Sequence, residues 1–336
     1  MNILSKRFGF LLVFAGFFIL LGHLAYGAAD SPFFAGSINP FAIPAGFPMA
    51  TSARLMPEGA GTATLAFSIS NHFSQDVENG VSAAFDGETR RLDTAVRFGL
   101  SGRMELAIDI PMIRHSGGFL DSFIDRWHQL VGVSDTGRED TPRNRLKYSL
   151  MENGTTHFGL DGPSSGIGDV RLSLGYQLPL NSSGRLAAAR FGVKLPTGDP
   201  DRLTGSGGHA LFVQLDVSDA ATVPIKGITL IGSAGVLFTE NEFLLEKFGR
   251  RAAAWGYLGL VWQLTENLTP KIQLNWHSPL YHGTGLTQMD EWAAAVVLGG
   301  DWKICGDVYL QFGLSEDIAV GTTPDVTFHL ALTQKF

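Results

Sequence analysis

The amino-acid sequence predicts an all-β membrane protein: a transmembrane antiparallel up-and-down β-barrel of about 12 strands with one long extracellular loop containing a short helix. Three observations predict it. From residue 60 onward, segments that alternate apolar with small or polar residues recur along the chain, and strand side chains alternate between two faces. These segments run about 11–15 residues, longer than the roughly 5–6 of a globular strand and close to the roughly 9–11 that cross a bilayer. The final segment ends on an aromatic residue, Phe336.

Composition agrees. Of 336 residues, 17% are charged and 45% hydrophobic, against about 25% charged in a typical soluble domain. Beyond residue 27 no uninterrupted apolar run reaches the roughly 20 residues of a spanning helix. A formal charge of −7 without a basic stripe excludes nucleic acid as a partner. Cys305 is the single cysteine, so no internal disulfide forms. There is no HExxH, Cys/His cluster, P-loop or dinucleotide fingerprint, so neither a metal nor a cofactor is expected.

In chain order, Lys6 and Arg7 precede an apolar stretch from Phe8 to Leu21 and small residues at Ala25 and Gly27. This is the layout of a signal peptide over 1–27, implying export to the bacterial outer membrane. Residues 28–59 interleave Phe33, Phe34, Phe41, Phe47 and Met49 with Pro32, Pro40, Pro44 and Pro48. So many prolines forbid a ladder strand, and the apolar content suggests a periplasmic tail or a plug tucked into the barrel mouth.

The barrel itself occupies 60–336, with strands expected near 60–74, 87–100, 103–113, 166–178, 184–197, 206–218, 226–238, 251–264, 267–277, 288–301, 306–316 and 323–336. Links alternate between tight turns and longer polar connections at 75–86, 114–165, 239–250 and 278–287, as expected of periplasmic turns and external loops. On the third to fifth strands the alternation points Glu105, Asp109, Asp169, Arg171, Arg190 and Lys194 inward. They form either a salt-bridged filling or a charged conduit lining. In the last strand Phe328, Leu330 and Leu332 share a face with Phe336, the pattern read by barrel-insertion machinery, although Gln334 departs from it. Five tryptophans, Trp255, Trp262, Trp276, Trp292 and Trp302, fall in strands or near their ends, where interfacial girdles lie.

The 114–165 connection is long enough to be functional. Phe119, Leu120, Phe123 and Trp127 recur at helical spacing. Such a helix packs on the rim, gates the lumen, or lies in the interface. Catalytic motifs are weak. Gly162-Pro163-Ser164-Ser165-Gly166 fits G-x-S-x-G but precedes a strand rather than linking a strand to a helix. His115-Ser116 and His277-Ser278 are adjacent in sequence, which does not define a catalytic pair; no catalytic residue is assigned.

Several stretches resemble an uncharacterised, domain-of-unknown-function family of bacterial outer-membrane barrels. They are Arg114 to Asp121, Thr141 to Arg145, Gly166-Ile167-Gly168-Asp169, Lys194 to Asp199, and Gly205 to Gly208. The Gly-x-Gly-Asp and Pro-Thr-Gly-Asp pieces are also similar to barrels associated with degradation of phenol and other aromatics. The resemblance implies passage of small apolar or aromatic molecules and supplies no catalytic residues. The expectation is a channel or facilitator for small solutes, with outer-membrane lipids and the insertion machinery as partners. A lipid hydrolase and a closed barrel with a structural or assembly role are the alternatives.

Overall fold

A computed structural model describes residues 30–120, 142–240, 244–318, 324 and 326–336; residues 1–27, expected to be a signal peptide, lie outside them. The strands are β1 (Gly61–Glu78), β2 (Val81–Ser101), β3 (Met104–Ser116), β4 (Lys147–Glu152), β5 (Thr155–Leu160), β6 (Ser164–Ile167), β7 (Val170–Gln177) and β8 (Arg185–Leu195). They continue with β9 (Ala210–Asp219), β10 (Ile228–Thr239), β11 (Ala252–Trp262), β12 (Leu268–His277), β13 (Ala293–Cys305), β14 (Val308–Asp317) and β15 (Val326–Lys335). Twelve of them close into one antiparallel ring, β1-β2-β3-β7 and onward through β15, sealed by β1 against β15 from Thr62↔Lys335 to Asn71↔Val326. Closure leaves no unpaired strand edge in the ring.

Outside the ring wall, apolar side chains stand exposed: Leu65, Phe98, Phe191, Leu211, Leu258 and Leu330 are 40–61% accessible. Soluble monomers rarely expose contiguous apolar patches larger than a few hundred Å². A belt that runs around a closed barrel is stable only in lipid, and such barrels belong to the bacterial outer membrane. No helix among the described residues is long and apolar enough to span a membrane; the crossing is made by strands.

The connections differ from the sequence expectation at the long-link end. Residues 75–86 are strand rather than loop. β1 and β2 run on to a two-residue turn, Asn79-Gly80, with φ of 49° and 82°, as the Asn-Gly hairpin preference dictates. The apolar alternation fades there because strands of 18 and 21 residues outrun a bilayer crossing of roughly 9–11. Within 114–165, β4 and β5 form a hairpin around Asn153-Gly154 that pairs with the β2 extension, from Val81↔Glu152 to Asp86↔Lys147. The expected strand 166–178 is broken into β6 and β7 at Gly168-Asp169, and both halves pair with β3. The strand expected at 288–301 is shifted to 293–305, with a single helical turn at Thr287–Asp290 before it.

Of the predicted loop helix, Phe123 and Trp127 lie outside the described residues. Phe119 and Leu120 are described and are not helical. Phe119 is tethered to β2 instead: its N–H donates to Glu88 Oε2 at 3.2 Å and Arg90 stacks over its ring at 5.3 Å.

Candidate functional site

The barrel's interior is occupied by its own N-terminal segment. Residues 30–59 enter at the short-turn end, climb to the long-link end, turn over a 3-10 turn at Ile43–Ala45 with Gly46 left-handed, and descend to β1. Phe33, Ile38, Ala45 and Met49 are no more than 2% exposed. Chain of this composition cannot join a sheet ladder, because proline lacks the N–H, yet its buried backbone needs partners. The wall supplies them from side chains. Gln273 and Gln311 accept from the N–H groups of Phe33 and Phe34, at 2.9 and 2.6 Å. Gln177 accepts from Leu55 N–H at 3.1 Å and donates to Ala53 C=O at 3.0 Å. Glu105 accepts from Met56 N–H at 2.9 Å, and Tyr257 and Tyr281 donate to the carbonyls of Thr51 and Phe41.

Behind this segment lies a paired charge ladder. Arg190 bridges Glu105, at 3.1 Å, and Asp216. Arg171 lies between Asp93 and Asp109, at 3.6 and 4.0 Å. Arg91 grips Asp93 at 2.7 Å, Arg97 reaches Asp109 at 3.6 Å, and Lys194 pairs with Asp169. Five carboxylates thus meet five cations, and pairing is what makes such burial tolerable. Glu105, Asp109, Asp169, Arg171, Arg190 and Lys194 are all buried inside the wall. Sequence reading passed over Asp93 and Asp216. The signal was present: Gln214, Asp216 and Ser218 alternate with Leu211, Val213, Leu215 and Val217 along β9.

The Lys194–Asp169 pair explains the short glycine motifs. Asp169 Oδ1 accepts from Gly198 N–H at 2.9 Å and Oδ2 from Ser206 N–H at 3.0 Å. Lys194 Nζ also donates to Ser206 Oγ at 2.5 Å and to Gly208 C=O at 3.0 Å. Thr197 Oγ1 donates to Gly168 C=O at 2.7 Å. A Cβ on Gly205 would lie 2.3 Å from Asp169 Oδ1, and one on Gly46 would lie 2.4 Å from Lys194 Cδ. Three separate motifs therefore make one buried knot, and the turn of the inner segment rests on it.

At the long-link end the tip of that segment is sealed into an apolar cap. Phe41 packs edge-on against Phe85, Phe158 and Tyr281, with centroids 4.9, 5.5 and 6.3 Å away. Tyr148 and Leu150 of β4 and Leu286 are fully buried in the same cluster. Lys247 clamps the hairpin from outside through Glu152, at 2.6 Å, which also meets His157 at 3.2 Å. The hydrogen bond from Lys247 holds the Glu152 carboxyl below the usual carboxylate range.

Between the inner segment and the β9–β15 wall lies a cavity lined by Phe47, Gln214, Trp255, Tyr257 and His277 among others. Trp255, expected at the membrane interface, instead faces inward onto it at 7% exposure. Trp276 and Trp292 remain together near the long-link end, with ring centroids 5.7 Å apart.

The adjacent His and Ser residues do not meet as base and nucleophile. His115 is bonded to Thr89 Oγ1 at 2.9 Å and to Leu203 C=O at 3.2 Å, wholly inside the wall; Ser116, the next residue on the strand, alternates to the other face. Ser278 Oγ accepts from Ala254 N–H, while His277 Nδ1 contacts Ser278 C=O. Ser164 sits in a strand and donates to Arg202 C=O. Among the described residues no group of three or more His, Cys, Asp or Glu could hold a metal ion. Leu330, Leu332 and Phe336 point outward at 45–62% exposure, with Phe328 half-buried on the same face.

Residues 17–336 match the family model described as Protein of unknown function (DUF3187). The chain belongs to this family. Among solved structures, this DUF3187 member is similar to the COG4313 outer membrane channel from Pseudomonas putida F1, at 14% identity and a TM-score of 0.56, covering 84% of this chain and 98% of that one. It is also matched to the NanC porin, at 8% identity and a TM-score of 0.46, covering 82% and 100%. A third match is the Pseudomonas putida toluene transporter TodX, at 10% identity and a TM-score of 0.35, covering 94% and 98%. At these identities the first likeness is one of fold. No curated protein matches the DUF3187 chain.

Proposed function

We propose that this protein is an outer-membrane channel or facilitator for small solutes, held closed by residues 30–59. One observation carries the reading: a complete ring of strands encloses a chain segment that is not part of the ring. Ladder hydrogen bonds hold the wall, whereas side-chain bonds from Gln177, Gln273, Gln311 and Tyr257 hold the segment. The segment can therefore leave or shift without any strand separating. Glu105, Asp109, Asp169, Arg171, Arg190 and Lys194 would then line one side of the path, with charge of both signs in mutual pairs. The start of the 114–165 connection, Phe119 and Leu120 included, is tethered beside β2, where it would narrow access to the path. A similar barrel described as a channel is in keeping with this. Outward-facing Phe328, Leu330, Leu332 and Phe336 suit recognition by insertion machinery after export.

Planar-bilayer recording of the refolded chain lacking residues 1–27 tests the proposal. The intact chain should show small or infrequent openings, and removal of residues 31–58 should produce large, sustained ones. Silence from both would overturn the channel reading and favour a closed structural barrel. A lipid hydrolase finds no support in the environments of His115, Ser116, His277 and Ser278.

A further inference from the structure

The outer face of the barrel changes character at one level of β2 and β3. From the short turn between these strands, outward side chains of β2 run from Leu100 through Phe98 and Leu92 to Arg90. Those of β3 run from Leu106 through Ile110 and Met112 to Arg114. Roughly ten residues at about 3.3 Å each, tilted by about 40°, climb about 25 Å, the height of the apolar band of a transmembrane barrel. With short turns in the periplasm and long links outside, the two arginines stand at the headgroup level of the outer leaflet.

Arg90 and Arg114 are direct cross-strand partners, which sets their Cβ atoms about 4.5–5.5 Å apart; like charges so placed destabilise a sheet. Glu88 answers Arg90 at 2.6 Å, and the Phe119 ring lies 5.3 Å from the same guanidinium. Arg114 is exposed and has no carboxylate partner among the described residues. Its neighbour on the other side is Ser165, to whose C=O Arg202 donates at 3.5 Å while pairing with Asp199 at 3.4 Å. Arg145 comes in from the 114–165 connection: a Cβ on Gly117 would collide with Asn144 C=O and stand 3.2 Å from Arg145 N. Arg145 too lacks a carboxylate partner among the described residues. Two of the four arginines at this rim are therefore paired and two are not. Directly beneath, Met112 and Ile167 are themselves cross-strand partners, exposed by 54% and 51%.

We propose that this rim docks a phosphorylated glycolipid of the outer leaflet, of the lipid A type. Its phosphate lies between Arg90 and Arg114, and its acyl chains lie along Leu92, Met112 and Ile167. Charge complementarity at a fixed height carries the assignment. A guanidinium fork takes phosphate oxygens two at a time, and an anion there relieves the like-charge pair. The apolar residues beneath gain by covering themselves with acyl chain rather than water. The site is independent of whether the barrel conducts.

Native mass spectrometry and calorimetric titration of the folded chain in detergent micelles test it. The probes are diphosphoryl lipid A, its dephosphorylated form, phosphatidylglycerol and inorganic phosphate. Lipid A should bind saturably, and the other three at least about tenfold more weakly, the worth of a hydrogen bond to a charged group. Arg114→Gln leaves the apolar residues beneath in place and should weaken lipid A about tenfold. Arg114→Lys keeps the charge without the fork and should fall between. Arg103→Gln makes the same charge change at the exposed turn at the other end of β2 and β3, and should leave binding unaltered. Heat-modifiable gel mobility shows whether each variant has folded; if one has not, the discrimination among the four probes by the unaltered chain decides. Equal binding of dephosphorylated lipid A, or unchanged affinity in folded Arg114→Gln, would overturn the site. So would an equal loss in Arg103→Gln, which would mark diffuse charge, or equal binding of phosphatidylglycerol or inorganic phosphate, which would mark a general phosphate site.

Discussion

Replacing Lys194 with Met probes the knot on which the inner segment turns. The ammonium is fully buried and paired with Asp169, and it donates also to Ser206 and to Gly208 C=O. Methionine fills much the same volume, so the loss is electrostatic rather than steric. Breaking one side of a buried ion pair typically costs about 3–5 kcal/mol, because the remaining charge is stranded. Asp169 keeps the N–H groups of Gly198 and Ser206, which places the expected loss near the lower end, about 3 kcal/mol. Urea unfolding in micelles, followed by tryptophan fluorescence, measures it. The double variant Lys194→Met/Asp169→Asn removes the stranded charge while the amide oxygen still accepts from the loop. It should recover more than about 1.5 kcal/mol of the loss, a coupling expected of residues in direct contact. A loss below about 1 kcal/mol in the single variant, or simple additivity in the double, would refute the claim that this pair holds the loop and the segment's turn.

Three further outcomes are expected. Phe41→Ala removes the ring that seats the segment's tip among Phe85, Phe158 and Tyr281; large-to-small changes of this kind cost about 3–5 kcal/mol, so channel openings in bilayers should become more frequent. Acidification should loosen the β4–β5 hairpin: with the Glu152 carboxyl held below its unfolded value by Lys247, the clamp is present above the unfolded carboxylate pKa and lost as pH falls through the folded one. Protease nicking near residues 153–154 should therefore rise on acidification, and Lys247→Met should show the same nicking already at neutral pH. Ser116→Ala should leave outer-membrane lipid composition and esterase activity unchanged, and a change in either would revive the hydrolase reading.

Local periodicity carried most of the architecture. Apolar alternation such as Leu211, Val213, Leu215 and Val217 against Gln214, Asp216 and Ser218 states which face meets lipid, because a strand's two faces are set by the backbone alone. The same rule put Glu105, Asp109, Asp169, Arg171, Arg190 and Lys194 on one side, and in the structure they lie inside the wall. It failed at 75–86 and 147–160, where strands stand clear of the bilayer and only short apolar stripes, Val81, Ala83 and Phe85 on one and Tyr148 and Leu150 on the other, mark the face that meets the cap. There the Asn79-Gly80 and Asn153-Gly154 turns were the legible signals.

What only the tertiary structure decided is which partners those faces meet. Prolines at 32, 40, 44 and 48 rule a ladder strand out of the N-terminal segment, but nothing local to it specifies Gln273, Gln311, Gln177 and Tyr257 as the groups that satisfy its backbone. Likewise the sequence places Lys194, Asp169 and Ser206 near glycines without joining them, and it sets Trp255 on a strand without revealing that Phe47 and His277 complete a cavity around it. Periodicity is a property of consecutive residues. Ion pairs, the lumen's occupant and the cavity depend on strand register and on closure of the ring, which bring together residues such as Phe34 and Gln311, 277 positions apart in the chain.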